Sequence, residues 1–447
     1  MDVETSGLSA MVQELVSKKK HDTAISAIQI FHAEAPNDPE LLNMLGSVAY
    51  QGGRFEIALG AAKLLMKNGN LGGAIETNAA RCLYHLRRAP EAIEIARTLK
   101  DRDPKDPNHA ISLALFLKAV GQFDESRRLL NEISENVHGY ASLLGWHLLR
   151  EGEFANGYTV LEKELGIYRA EQHAQLPKEK RLRSDCALNG KTVLLALEGG
   201  FGDEIAFLRF AQTLKARGAR PLIGASFRLA NAFARARDVQ YAHQLTGIAQ
   251  HNYDYYISAM SIIPEYGIHG PANGIAFPYL VSDPEHVKKA RQHIDDAAKG
   301  RMKIGLAWQG NPEFEHIEFK SLPLELLGPL GQHGQLFSLQ RGVSEIPEGA
   351  VNLEDRDADW DDTLADIANM DVVVSADTSI AHASGALGIS TLLLVNNAPH
   401  AYWAKPGETT DWYPSMRVFR QPQYNDWSGA IAKASHYLQK LAERHAS

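Results

Sequence analysis

Residues Asp371–Gly388 read DVVVSADTSIAHASGALG, and this stretch decides the fold class of the C-terminal half. Val372, Val373 and Val374 follow one another without polar alternation, the pattern of a strand covered on both faces and hence of a parallel sheet. Ser375-Ala376-Asp377-Thr378-Ser379 then supplies short polar residues of the kind that start helices, and the next residues read as a helix carrying His382, Gly385 and Gly388. Strand, polar turn and helix in that order bring helix amides, two hydroxyls and the positive end of a helix dipole to the carboxyl edge of a sheet. Two readings of the turn stand side by side. Asp377, Thr378 and Ser379 are either ordinary N-caps or an anion site for a diphosphate, with His382 one helical turn beyond Thr378 and facing the same pocket.

Working outward, the same alternation recurs. Met302–Trp308, Leu336–Leu339 and Thr391–Val395 read as further strands of one α/β half. Upstream, Asn189-Gly190 leads into an apolar strand over Lys191–Glu198. A glycine turn with Gly199, Gly200 and Gly202 follows, then Asp203 and an apolar helix through Ile205, Phe207, Leu208 and Phe210. This is a Rossmann-like opening, in which glycines permit close approach of a substrate and the helix N-terminus favours negative charge. It is not the dinucleotide fingerprint. The G-x-G-x-x-G spacing is missing, and no acidic residue stands about 20 positions on, near Leu222–Ser226. Asp203 itself reads either as a helix cap or as a functional carboxylate.

The front third has another period. Ala24, Ala58, Ala92 and Ser126 recur every 34 residues, as do Gly46, Ala80 and Ala114, while Pro36 and Pro104 keep the same register. Apolar residues between them have helical spacing, as in Leu41, Leu42, Leu45, Val48 and Ala49 before the Gly52-Gly53 turn. The pattern resembles tetratricopeptide repeats over about residues 5–165, with largely aliphatic residues at the aromatic signature positions. Such arrays present a concave surface to a polypeptide, or serve only as a stability cap.

Composition bounds the rest. A chain of 447 residues with 45% hydrophobic and 22% charged residues has enough apolar side chains for about three domains. Net charge −8 and pI 6.1 give no global attraction to nucleic acid. Cys82 and Cys186, far apart, indicate neither a disulfide framework nor a zinc site. No signal sequence and no apolar run of about 18 residues is present, so a cytoplasmic protein without a membrane span is expected.

From about Phe154 to Trp427 the chain resembles the bacterial glycosyltransferase family 9, which includes lipopolysaccharide heptosyltransferases, and particularly its subgroup with fused tetratricopeptide repeats. The resemblance rests on motifs in order: Asn189–Thr192 leading to Glu198–Asp203, Ile205–Arg209, Trp308–Pro312, Lys320-Ser321, Ser338–Gln340, Asp377–His382, Gly385–Gly388 and Trp412–Gln421. It implies a GT-B fold of two Rossmann-like lobes behind a helical solenoid. The expected divisions are 1–165 array, 166–187 linker, 188–285 acceptor lobe and 286–447 nucleotide-sugar lobe, with a last helix over about Trp427–Arg444 packing back across the lobes. It further implies inverting transfer without a metal or resident cofactor, the nucleotide-sugar being a substrate. By matching position Asp203 is the general base, Lys320 neutralises the leaving diphosphate, and Gln340, Asp377, Thr378, Ser379 and His382 complete the donor site. The fused array suggests a protein acceptor, flagellin or another surface protein.

Departures accompany the matches. Where the family carries a His and an Asp-Arg pair before Lys320, this chain has Glu313–Phe319, including Phe314, Glu315, Ile317 and Glu318. Where the family tends to carry Asp-Trp-Arg before Trp403, it has His400-Ala401-Tyr402. These losses support a rival reading, a client-binding scaffold whose transferase region no longer catalyses. Trp308, Trp403 and Trp412 read as core, and Arg417 and Arg420 as a solvated strand edge.

Overall fold

The computed structural model describes residues 3–70, 72–172, 176–248, 251–311, 317–353 and 359–446. The chain divides into two compact units between Leu143 and Leu144.

The first unit is helical: α1 (Val3–Ser17), α2 (His21–Glu34), α3 (Pro39–Gln51), α4 (Phe55–Lys67), α5 (Gly73–His85), α6 (Ala89–Arg102), α7 (Pro107–Ala119) and α8 (Phe123–Leu129), with α9 (Tyr140–Arg150) crossing the division. His21, Phe55, Ala89 and Phe123 each open a helix, as do Pro39, Gly73 and Pro107, so the 34-residue register is the register of the helices themselves. Asp38 and Asp106 accept hydrogen bonds from the first amides of α3 and α7, each followed by proline at the first helical position. The recurring small residues sit where neighbouring helices touch. Ala24, Ala58, Ala92 and Ser126 are buried, and the Ser126 hydroxyl donates to the Ala114 carbonyl at 2.7 Å, joining the two series.

The second unit begins with α10 (Phe154–Gln172), paired with α9 through reciprocal glycines. A Cβ on Gly145 would meet Leu161 Cγ at 2.6 Å, and one on Gly157 would meet Leu149 Cγ at 2.6 Å. The first lobe holds β1 (Thr192–Ala196), α11 (Phe201–Leu208), α12 (Phe210–Ala216), β2 (Arg220–Ala225), α13 (Ala230–Phe233), β3 (Tyr241–Gln244), β4 (Tyr255–Ser258) and α14 (Ile262–Tyr266). Its four strands are parallel in the order β3-β2-β1-β4. The second lobe holds α15 (Pro284–Ala298), β5 (Lys303–Ala307), β6 (Gln335–Ser338), β7 (Ala350–Asn352), α16 (Trp360–Ala368), β8 (Val372–Ser375), α17 (Ser379–Ala386), β9 (Thr391–Val395), β10 (Met416–Arg420) and α18 (Ser428–His445). Its six strands are parallel in the order β10-β9-β8-β5-β6-β7, the doubly wound arrangement, with the topological switch between β5 and β8. Two such lobes in one compact unit make the expected GT-B architecture.

Three segments differ from expectation. Helix α10 continues to Gln172, past the expected end of the array at 165. Much of the expected linker is built into the first lobe: Leu176 and Leu182 are buried, and Arg181 bridges in parallel to Tyr256 beside β4. The last helix does not span the lobes as expected. Ala430, Ile431, Ala434 and Leu438 of α18 join the core of the second lobe with Leu392, Leu394 and Phe419, because its apolar stripe matches that sheet face.

At the lobe junction Arg209 is fully buried. Its guanidinium donates to the carbonyls of Ala206 (2.7 Å), Pro271 (3.2 Å) and Trp412 (2.6 Å) and to the Tyr279 hydroxyl (3.1 Å). Phe277, Tyr279, Trp412 and Tyr413 surround it with ring centroids 4.6–5.4 Å from Cζ. Such a cation is satisfied by acceptors and ring faces from both lobes. Arg209→Met keeps the stem volume but leaves those acceptors unpaired, each at about 1–3 kcal/mol. The denaturation midpoint of the second unit should therefore fall clearly, with Arg209→Lys intermediate. Equal midpoints for all three proteins would show that Arg209 does not hold the junction.

Candidate functional site

The site forms where α11 packs on α17. Both helices start at the carboxyl end of a central strand, β1 in the first lobe and β8 in the second. Gly202 makes the contact possible: a Cβ there would lie 3.0 Å from His382 Cδ2 and 3.6 Å from Ser379 Cα. Gly199 has φ +86°, and a Cβ on it would come within 2.6 Å of Asp203 Oδ2. Gly200 is the N-cap of α11 and, having no side chain, offers only its amide, which donates to Asp203 Oδ2 at 2.9 Å. Asp203 therefore does cap its helix, and it does more. Its other oxygen, Oδ1, accepts a hydrogen bond from the Tyr402 hydroxyl across the lobe boundary.

Opposite Asp203, Asp377 follows β8. Its Oδ1 accepts from the Trp403 indole at 2.8 Å, and Lys320 Nζ lies 3.0 Å from Oδ2. Burial works against this carboxylate's charge, but Lys320 and His400 with the Trp403 bond outweigh it and hold Asp377 well below the usual carboxylate range. For Lys320, burial opposes the ammonium, yet Asp377 and the more distant Asp203 raise it above its ordinary value. Lys320 follows a 3₁₀ turn over Ile317–Phe319, tied down by the Asn396 amide donating to the Phe319 carbonyl at 3.0 Å. Asp377 thus anchors the cation; it is itself almost enclosed.

Thr378 occupies the N-cap position of α17 but makes no side-chain cap bond; its hydroxyl instead lies 3.0 Å from that of Ser375. Ser379 is partly exposed at the first position of the helix. Gln340 Oε1 accepts from the amides of Trp308 (3.2 Å) and Gln309 (3.1 Å), finishing the end of β5 at the switch point. His382 is buried instead of facing an open pocket. Its Nδ1 pairs with the Tyr413 hydroxyl at 2.9 Å, and its ring packs against Tyr402 and Trp403. Burial lowers the imidazole to about 4 despite the pull of Asp377 and Asp203, so it is neutral at neutral pH.

Trp308, Trp403 and Trp412 are core, as their sequence setting suggested. Phe314 and Glu315 lie outside the described residues, and so does the side chain of Glu318; Ile317 opens the 3₁₀ turn before Lys320. Arg417 lies over Tyr437 at 4.9 Å, and burial together with Arg150 lowers Arg420 to about 10. Among the described residues, His286, Asp359 and Asp362 offer atoms close enough to share a metal ion. Asp359 caps α16, however, and His286 Nδ1 pairs with Asp362 at 2.9 Å.

Sequence reasoning missed Arg209 and Glu204 as site residues. Each is a charge inside the apolar run from Ile205 to Phe210 or at its edge, and that was the available signal. Glu204 accepts from the Ser226 amide and hydroxyl, and burial, with Asp203 adding to it, pushes its carboxyl up to about 7. Tyr402 stands in the sequence only as part of the departure at His400-Ala401-Tyr402.

The fold defines a class: a tetratricopeptide-like helical array followed by two Rossmann-like lobes in a GT-B arrangement. No family model matches the chain. Protein FlbA of Caulobacter vibrioides is 23% identical over 519 residues, covering 98% of this chain and 85% of that one. Among solved structures, a glycosyl transferase family 9 protein from Veillonella parvula covers 59% of this chain and 99% of its own at 10% identity, with a TM-score of 0.44. A thermophilic tetratricopeptide protein of Thermus thermophilus covers 36% and 90% at 17% identity, with a TM-score of 0.31. Among the described residues no helix is long and apolar enough to cross a membrane.

The depressed imidazole has a measurable consequence. Between pH about 6.5 and about 4 the unfolded chain takes up a proton at His382 and the folded chain does not, so stability falls as pH drops through that window, by on the order of 3 kcal/mol. His382→Asn removes this contribution. The stability difference between parent and H382N, followed by denaturant titration at several pH values, should shrink on acidification; a pH-independent difference would contradict the buried neutral imidazole.

Proposed function

We propose that the protein is an inverting, metal-independent glycosyltransferase that moves a sugar from a nucleotide-sugar to a hydroxyl of a polypeptide acceptor. One observation carries this reading. Packing of α11 on α17 sets a carboxylate from one lobe, Asp203, across from a cation and an uncapped helix N-terminus of the other, Lys320 and α17. The two ends of a displacement reaction need those groups. The acceptor oxygen attacks the anomeric carbon and gives its proton to Asp203, whose oxygens each retain a lone pair beyond the bonds from Gly200 and Tyr402. The bond from the anomeric carbon to the diphosphate oxygen breaks with its electron pair. The charge gained by the diphosphate falls on Lys320 and the α17 amides, which therefore favour the transition state over the ground state. Lys320 needs no preparation for this role, since Asp377 already holds it charged and in place.

Asp203→Asn keeps the shape and removes the basic lone pair, so turnover of a donor from a UDP-, GDP-, ADP- and CMP-sugar panel should fall by about 10²–10⁴ while nucleotide affinity stays unchanged. Parent-like turnover would exclude Asp203 as the base. Lys320→Ala should weaken nucleoside-diphosphate binding by roughly 10- to 100-fold, and by much less for the nucleoside, as calorimetry would show.

The array adds surface without chemistry, and its role in this reading is to recruit the polypeptide and raise its local concentration. Removal of residues 1–143, the division observed in the fold, should spare nucleotide-sugar binding and abolish modification of the native acceptor. An undiminished rate on that acceptor would make the array an independent module.

A further inference from the structure

The 3₁₀ turn Ala401–Trp403 sends two consecutive side chains to the two functional carboxylates: Tyr402 to Asp203 in the first lobe, Trp403 to Asp377 in the second. We propose that Tyr402 is the positioning residue of the candidate base, fixing the orientation of the Asp203 carboxylate by a direct hydrogen bond, while Trp403 fixes the carboxylate that holds Lys320. This rests on the reading of Asp203 as the base.

Geometry restricts what else Tyr402 does. Its ring is enclosed by Trp412 (centroids 4.6 Å), His400 (4.6 Å), His382 (5.1 Å) and Phe207 (6.1 Å), which leaves the hydroxyl one direction to point. The turn is held from behind as well: the Trp146 indole of α9 donates to the Pro399 carbonyl at 2.7 Å. Burial, with Asp203 beside it, raises the Tyr402 phenol well above its ordinary value, so the group stays a donor. With Gly200 N on Oδ2 and Tyr402 on Oδ1, the carboxylate cannot rotate without breaking a bond at each end.

A hydrogen bond from a phenol favours the ionised carboxylate over the acid. Loss of the Tyr402 hydroxyl removes that preference. The other groups that sense Asp203 are Lys320 before β6, His382 on α17, Tyr158 on α10 and Glu204 beside it on α11. Of these Lys320 is the cation, while the direct bonds to the carboxylate come from the Tyr402 hydroxyl and the Gly200 amide.

The test titrates the carboxyl itself, in full-length protein labelled with aspartate carrying ¹³C at the carboxyl. The Asp203 resonance is identified by its loss in D203N. In Tyr402→Phe its midpoint should move to higher pH by about one unit, the equivalent of a charge-assisted hydrogen bond. The acid limb of donor consumption, measured with whichever member of the UDP-, GDP-, ADP- and CMP-sugar panel is turned over, should move with it. Site-specific 3-fluorotyrosine at position 402, a more acidic donor with the same ring, should shift the midpoint the opposite way and serves if Y402F fails to fold. Unchanged midpoints in these variants would overturn the assignment of Tyr402. Parent-like turnover by D203N would instead overturn the base, whatever the titration shows.

Discussion

Everything at the site depends on how closely α11 approaches α17, and that approach depends on Gly202 having no side chain. A Cβ at this position would crowd His382 at 3.0 Å from Cδ2, and that ring is held in place by the Tyr413 hydroxyl and the rings of Tyr402 and Trp403. Because the helices touch here, the next residue along α11, Asp203, reaches the second lobe, and Tyr402 reaches it in return. The glycines of the turn therefore serve two ends. Gly199 makes room for the carboxylate on its own lobe, and Gly202 brings that carboxylate to the other.

Behind this contact lies a polar network in a low-dielectric junction. Arg209, Tyr279, Tyr413 and His382 form a continuous run of hydrogen bonds and close hydroxyl contacts from the first lobe to α17. Satisfied groups of this kind are costly to disturb, and they specify one arrangement of the lobes. The network also explains the division of labour among the charges. Arg209 is committed to carbonyls and ring faces, burial keeps His382 neutral, and Lys320 is paired with Asp377 beside the start of α17.

Much of this was legible in the chain itself. The 34-residue register appears in the structure as the starting positions of the helices, since small residues are required wherever two helices meet and the period of a stack is the period of those contacts. The strands around Val372 and Val193 were marked by unbroken apolar runs. What the sequence did not reveal was pairing across long separations. Tyr402 lies 199 residues from Asp203 and Trp146 lies 253 from Pro399, and no local pattern records such partners. Basic residues at 178–183 suggested a linker because their charges dominate the composition, although Leu182 between them is buried and its amide donates to Tyr256 at 2.7 Å. His382 was placed in a pocket by helical spacing, which gives a direction around the helix but not what covers it.

The central claim is that the site where α11 meets α17 binds a nucleotide-sugar through its diphosphate. Native mass spectrometry of the full-length protein, first as purified and then with the sugar-nucleotide panel, tests it most directly. The account predicts a one-to-one complex with a nucleoside diphosphate or its sugar, retained with the free diphosphate but not with the free nucleoside. A nicotinamide or flavin dinucleotide at that site would contradict it, as would a protein that carries polypeptide and takes up no nucleotide at saturating concentration.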